Sequence, residues 1–339
     1  MKLNIAVYNM EWMVRLFDRQ GQLRTDNESQ QRAESLAEVV RAIDPDLLGV
    51  VEGPDTTASG SRNAARQLEA WVRHYDLHPD FRAVTGFVSR GRQELCALYR
   101  SDRIQVRHKP VRARDRNPFD QPFVCETEES LAREVYEHYR PPLELSVSDL
   151  QGRERMRVIV AHSKSKGIFD RVDFGRYERL SERNRKKLFA ECLSMRKRCD
   201  QWLEEAPERP VVVMGDINDG FGKDYYEQRF SRSAVELLLG DVWHPERILR
   251  SVLGEKPRLG KYGWTPSTSR FTDTVTGDTL NVLIDHILVS RNLGVRDVTV
   301  WNPYMDQEPE TRAQRIKALK SRLRQASDHY PVSALVELP

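Results

Sequence analysis

No apolar run in this 339-residue sequence approaches the roughly 18 residues needed to cross a bilayer, so no membrane-spanning helix is expected. The first residues enter the pattern Leu3-Asn4-Ile5-Ala6-Val7-Tyr8 with neither a basic leader nor a signal-type apolar core, and the expected location is the cytoplasm. Cysteine is scarce. Cys96, Cys125, Cys192 and Cys199 lack the close paired spacing of a zinc site, and four in so long a chain do not make a disulfide framework. Internal repeats and low-complexity tracts are missing, which removes solenoids and biased tails from consideration. Charge of one sign is missing too: 54 Lys and Arg face 51 Asp and Glu, a formal balance of +3 that marks an ordinary soluble globular protein and names no partner. One domain over residues 1–339 is expected, monomeric, with insertions at about 109–139 and 302–326.

What is present is a regular succession of short buried strands and amphipathic helices. Strands are expected at Leu3 to Tyr8, Leu47 to Val51, Ala83 to Val88, Leu95 to Arg100, Ile104 to His108, Leu143 to Val147, Met156 to Ala161, Val211 to Met214, Leu283 to Val289, Val295 to Trp301 and Val332 to Val336. Helices are expected at Gln30 to Ile43, Ala64 to Tyr75, Arg176 to Trp202 and Thr311 to Arg324. In the third, Leu188, Cys192, Met195, Cys199 and Trp202 share one apolar stripe, which assigns both thiols to packing rather than redox work. Short connections with few intervening helices point to an α/β (α+β) fold: a four-layer sandwich of two stacked mixed, largely antiparallel sheets with helices outside.

Polar residues stand where these strands end. Val211-Val212-Val213-Met214-Gly215-Asp216-Ile217-Asn218 is the sharpest case, an apolar strand that stops on a glycine and then presents an acid and an amide. Asn9, Glu52 and His162 follow other strands, Asp285 lies within Leu283-Ile284-Asp285-His286-Ile287-Leu288, and Ser327-Asp328-His329 precedes the last strand. A lone strand-end Glu is ordinarily solvated and a lone His ordinarily structural. Together, carboxylates and amides suit a hard cation such as Mg²⁺ or Mn²⁺, and two histidines with carboxylate partners suit general base catalysis and phosphate stabilisation.

With Asn9-Met10-Glu11, Glu52, His162-Ser163-Lys164-Ser165-Lys166, Gly215-Asp216-Ile217-Asn218-Asp219, Ile284-Asp285-His286-Ile287-Leu288 and Ser327-Asp328-His329 in this order, the chain resembles the endonuclease/exonuclease/phosphatase superfamily, with its deoxyribonuclease I-like fold. The resemblance runs from residue 9 to residue 329. It implies Glu52 as principal metal ligand with Asn9 beside it, Glu11 behind them and Asp328 as a further carboxylate on the metal side. It implies His329 as general base or phosphate-binding histidine oriented by Asp285, Asp216 as the acid that aligns or deprotonates the attacking water, Asn218 as donor to the phosphoryl oxygens and His162 on the other side of the phosphate. Glu94 matches a position where some members pair an acid with the first histidine, and is also read as a solvated glutamate. Arg140, in Arg140-Pro141-Pro142-Leu143, is read equally as a phosphate contact and as cover for the sheet. The family commonly has glutamine before its metal-binding glutamate; here Val51 stands there.

Lys164 and Lys166, beside His162, favour a substrate with several phosphates. Residues 153–198 carry 15 Lys and Arg against 6 Asp and Glu, and the last expected helix adds Arg312, Arg315, Lys317, Lys320, Arg322 and Arg324. Both basic segments lead into the site motifs, which favours a nucleic-acid backbone, DNA rather than RNA. Trp264 is read either as a base-stacking loop residue or as loop packing. The expectation is therefore a metal-dependent phosphodiesterase acting on nucleic acid. Its alternatives are a phosphatase or phosphodiesterase for a small phosphorylated metabolite or inositol phosphate, and a non-catalytic nucleic-acid-binding module.

Overall fold

The computed structural model describes the chain except for residues 58, 112–116, 127–132, 169–171, 256–265, 273–276 and 306–309. In chain order the elements are β1 (Lys2–Asn9), α1 (Asn27–Ile43), β2 (Leu47–Gly53), α2 (Ala64–His74), β3 (Phe81–Thr85), β4 (Glu94–Arg100), β5 (Gln105–His108), β6 (Phe123–Cys125), β7 (Glu134–Tyr136), β8 (Leu143–Ser148) and β9 (Glu154–His162). There follow α3 (Phe174–Glu205), β10 (Val211–Asp216), α4 (Ala234–Leu239), β11 (Leu249–Ser251), β12 (Ser269–Thr272), β13 (Thr279–Val282), β14 (Asp285–Ser290), β15 (Gly294–Val300), α5 (Glu310–Ala318), α6 (Lys320–Ala326) and β16 (Val332–Glu337). No described helix is long and apolar enough to cross a membrane.

Two six-stranded sheets carry the fold, one in the order β15-β16-β1-β2-β4-β3 and the other β11-β14-β10-β9-β8-β5. Each is antiparallel apart from one central parallel pair, β1 with β2 and β9 with β10. The sheets face each other across a fully apolar layer that includes Val7, Leu47, Val160, Met214, Ile287 and Val332. A second core joins the first sheet to α1, α2 and α6, and a third joins the second sheet to α3 and α4. The result is the expected helix–sheet–sheet–helix sandwich.

Local chemistry sets the element ends. Asp26 caps α1 by accepting from the Ser29 N–H, and the helix stops at Asp44, in the left-handed region just before Pro45. The α3 stripe Leu188, Cys192, Met195, Cys199 and Trp202 is buried, as its spacing requires, and all four cysteines are free and buried. The basic helix expected from Thr311 to Arg324 is two helices, with a break at Leu319 between α5 and α6. Asp285 opens β14 instead of lying within it.

Candidate active site

Strand register builds half of the site. In the second sheet Asp216, the last residue of β10, pairs with His162 at the end of β9 on one side and with Asp285 at the start of β14 on the other. Three of the expected site residues therefore stand abreast at one sheet end. Gly215 makes this possible: a Cβ there would collide with the Ala161 backbone carbonyl of the neighbouring strand. After Asp216 the chain turns through Asn218, in the left-handed region at φ 56°, whose N–H donates to Asp216 Oδ1 at 2.9 Å and whose side-chain amide donates to the Ser163 carbonyl at 3.1 Å.

The first sheet supplies the facing half. Asn9 ends β1 and pairs with Val51 of β2, so Glu52 comes next, at a bulge where its own φ is 56°. Asn9 Nδ2 donates to Asp216 Oδ2 at 3.0 Å, and His162 Nε2 lies 3.5 Å from the same oxygen. His329, in the segment leading to β16, approaches Asp216 from another side, with Nε2 at 3.8 Å, while its Nδ1 lies 2.8 Å from Asp285 Oδ2. Asp216, Asp285 and His329 bring potential ligand atoms within 4.8 Å of one another, and all three are buried.

The electrostatics follow from that burial. Burial, joined by the charges of Asp285 and Glu52, pushes the Asp216 carboxyl up to about 7. Burial opposes a charge on His329, but the Asp285 carboxylate and its hydrogen bond outweigh it and lift the imidazole to about 10. His162 moves the other way, well below the usual histidine range, through burial and the positive charges of Arg140 and His329. Asp285 Oδ1 and His162 Nδ1 are buried without a hydrogen-bond partner among the described residues.

A carboxylate cluster lies beside this group. Glu11, also in the left-handed region, accepts from the Asp328 N–H at 3.2 Å, and its carboxyl is raised by burial, then by the charges of Asp328 and, more weakly, Glu52. Glu52 Oε2 accepts from the Trp12 N–H at 2.8 Å and from Gln93 Nε2 at 2.6 Å. The carboxylates of Glu11, Asp328 and Glu52 offer oxygen ligands, and the repulsion that Asp328 and Glu52 exert on Glu11 is what a hard divalent cation relieves.

Arg140 reaches the site through Gln93, donating from Nε to Gln93 Oε1 at 3.0 Å, and it is felt by Glu52, Asp216 and Glu191. Gln93 escaped the sequence reading, which chose its neighbour Glu94; it supplies to Glu52 an amide that the residue before the glutamate, Val51, does not. Glu94 is fully buried and accepts from the Ser89 N–H, at 3.0 Å to its nearer oxygen, and from the Thr56 N–H, so it pairs with neither site histidine. Glu191 of α3 also went unread: it accepts the Lys164 N–H at 2.7 Å and lies 3.9 Å from Lys187 Nζ. Lys164 thus borders the site, whereas Lys166 is committed to Asp219 and Glu227, the latter at 2.6 Å. Trp264 lies outside the described residues.

The sequence model of the Endonuclease/Exonuclease/phosphatase family matches residues 200–329, a span that holds Asp216, Asn218, Asp285, Asp328 and His329. No curated protein matches the sequence significantly. Among solved structures, an endonuclease/exonuclease/phosphatase from Bacteroides vulgatus superposes with a TM-score of 0.53 at 16% identity, with 100% of both chains covered. Truncated Caenorhabditis elegans TDP2 gives 0.52 at 14% identity, covering 99% of this chain and 97% of that one. The human Nocturnin catalytic domain, solved with a bound sulfate anion, gives 0.53 at 12%, covering 100% and 94%. At such identities the likeness is one of fold. The resemblance read from the motifs is therefore met by both the family model and the architecture.

Proposed function

We propose that this chain is a divalent-metal-dependent phosphodiesterase that hydrolyses nucleic acid, DNA rather than RNA, by in-line attack of water. The observation that carries the reading is the convergence on Asp216 Oδ2 of Asn9, His162 and His329, the last held by Asp285. Glu52 and Asp328, with Asn9 and with Glu11 behind them, would hold Mg²⁺ or Mn²⁺. When bound, the metal supplies Lewis-acid neutralisation of charge on the phosphoryl and leaving oxygens.

The remaining work belongs to the side chains. Asp216, poised near neutrality, takes the proton of the attacking water. His329, kept protonated by Asp285, donates to a phosphoryl oxygen, so of its two expected roles the phosphate-binding one is favoured. Asn218 and neutral His162 contact the phosphate from the second sheet, and Arg140 and Lys164 attract it. Burial lowers the Lys164 ammonium, the Glu191 carboxylate beside it opposes that, and the weaker pull of Lys187, Arg140 and Arg183 marks a local group of cations that supports a polyanionic substrate.

A phosphatase for a small phosphorylated metabolite remains the second reading, and one observation favours it. Much of the basic excess in residues 153–198 is bound within the protein: Arg185 with Asp224, Arg196 with Asp200, and Arg198 with Glu144. The deciding experiment offers supercoiled plasmid, single-stranded DNA, RNA and phosphorylated metabolites to the purified protein, with Mg²⁺ or Mn²⁺ and then EDTA. Metal-dependent DNA cleavage is expected, falling by about a thousandfold or more in Asp216→Ala and His329→Ala while circular dichroism shows both variants folded. Phosphate release from a metabolite with no nucleic acid cut would select the second reading.

A further inference from the structure

A cavity of about 440 Å³ is lined by Arg19, Arg62, Arg92, Thr57 and Ser61, on the segments that flank Glu52 and Gln93 in the chain. Three loops build it: the turn after β1, the loop that leaves Glu52, and the loop that enters β4. We propose that it is a phosphate subsite that holds a second, non-scissile phosphate of the substrate; the assignment rests on the nucleic-acid reading above.

The charges motivate this. Arginines in this protein generally meet acids: Arg24 meets Asp26, Arg100 meets Asp102 and Arg153 meets Asp149. Among the described residues, of the cavity's arginines only Arg62 does so, with Asp55 at 2.6 Å, and its Nε is buried with no partner among them. Arg19 and Arg92 are exposed and make no ion pair with any described residue. Three guanidinium groups around one cavity, with a single acid among them, repel one another until an anion arrives. Their planar forks match phosphate oxygens in pairs.

The walls are built to hold this arrangement. Thr57 Oγ1 lies 2.9 Å from Ser61 Oγ and accepts from the Arg62 N–H at 3.0 Å, which fixes two hydroxyls at the rim. The turn carrying Arg19 packs on the Arg62 stem: a Cβ at Gly21 would lie 3.5 Å from Arg62 Cγ and 3.6 Å from the Gln67 amide. The Gln67 side chain is itself buried, and neither its oxygen nor its nitrogen has a partner among the described residues, so polar capacity lies unmet close to the Arg62 stem. The cavity is also tied to the acids. Arg92, left-handed at φ 56°, immediately precedes Gln93, which donates to Glu52, and Asp55 follows Glu52 by three residues. A substrate whose scissile phosphate meets Glu52 would extend a neighbouring phosphate toward Arg92.

Two measurements on the full chain test this. In EDTA, where no turnover occurs, calorimetry with inorganic pyrophosphate should show binding that weakens about tenfold or more in the double variant Arg19→Ala/Arg92→Ala. With metal, the same variant should raise KM for an eight-nucleotide DNA by about tenfold more than it raises KM for bis(p-nitrophenyl) phosphate, which carries a single phosphate. Equal pyrophosphate binding by variant and wild type, absent binding by wild type, or equal KM changes on both substrates would overturn the subsite. If wild type cuts no nucleic acid, the reading of the substrate fails instead, and the pyrophosphate arm still judges the cavity: binding lost in the double variant upholds an anion site, binding retained removes it.

Discussion

Glu94 shows how far one side chain's surroundings can move its chemistry. It is sealed from solvent, and burial pushes its carboxyl up to about 8 despite the N–H donors of Ser89 and Thr56. A carboxyl raised on folding contributes stability that is fully present below its unfolded value and is lost as pH rises through the folded one. Denaturant unfolding should therefore show stability falling between about pH 4.5 and pH 8, and Glu94→Gln should flatten that fall. A pH dependence identical to wild type would show that Glu94 is ionised at no cost. The same position marks a limit of sequence reading. The motif pointed to an acid at the start of β4, and the side chain that touches Glu52 belongs to the preceding residue, Gln93, because adjacent residues face different surroundings. Lys164 and Lys166 likewise look equivalent in sequence, and are separated only by Glu191 and Asp219, which folding brings from elsewhere in the chain.

At the scale of elements, strand ends were legible because apolar runs stop abruptly, and that is why Asn9, Glu52, His162, Asp216 and His329 were found by position. The helices before β16 were less so. Their basic residues suggested a free cationic face, yet Arg322 lies between Glu34 and Glu38 of α1, at 3.1 and 2.8 Å, and Arg312 reaches Asp297 at 3.5 Å. Ile316 and Leu323 are buried in the core shared with α1. This pair of helices holds the segment carrying Ser327, whose hydroxyl donates to the Asn9 carbonyl at 2.8 Å and accepts from the His329 N–H at 3.0 Å. Leu323→Ala should thus cost about 2–5 kcal/mol in denaturant unfolding. A cost below about 0.5 kcal/mol, the usual level for an exposed position, would show that α6 is not anchored as described.

Over the whole molecule, the near balance of charge conceals a division that composition cannot express. Many cations neutralise buried or half-buried acids, as Arg198 does Glu144 and Lys166 does Asp219, while Arg19 and Arg92 are exposed and make no ion pair with any described residue. Counting Arg140, Lys164, Arg19 and Arg92 as phosphate contacts, the logarithm of duplex DNA affinity in EDTA should fall against the logarithm of salt with a slope of about −3 to −4. A slope near −10, measured by fluorescence anisotropy from 50 to 200 mM salt, would require an extended basic track instead. Fold class was readable because alternating burial declares sheets. Substrate grip was not, because it depends on which charges remain unpaired after folding.

The pairing of Asp216 with His162 and Asp285 has one more consequence. Those three side chains stand abreast in a single alignment of β9, β10 and β14, and a one-residue slip in any of these strands turns its member toward the opposite face. Insertions and deletions within these three strands are therefore expected to be intolerable. On the proposed function, activity would be a readout of correct threading: a chain that misaligns its central sheet would still bury its apolar residues in part but be silent.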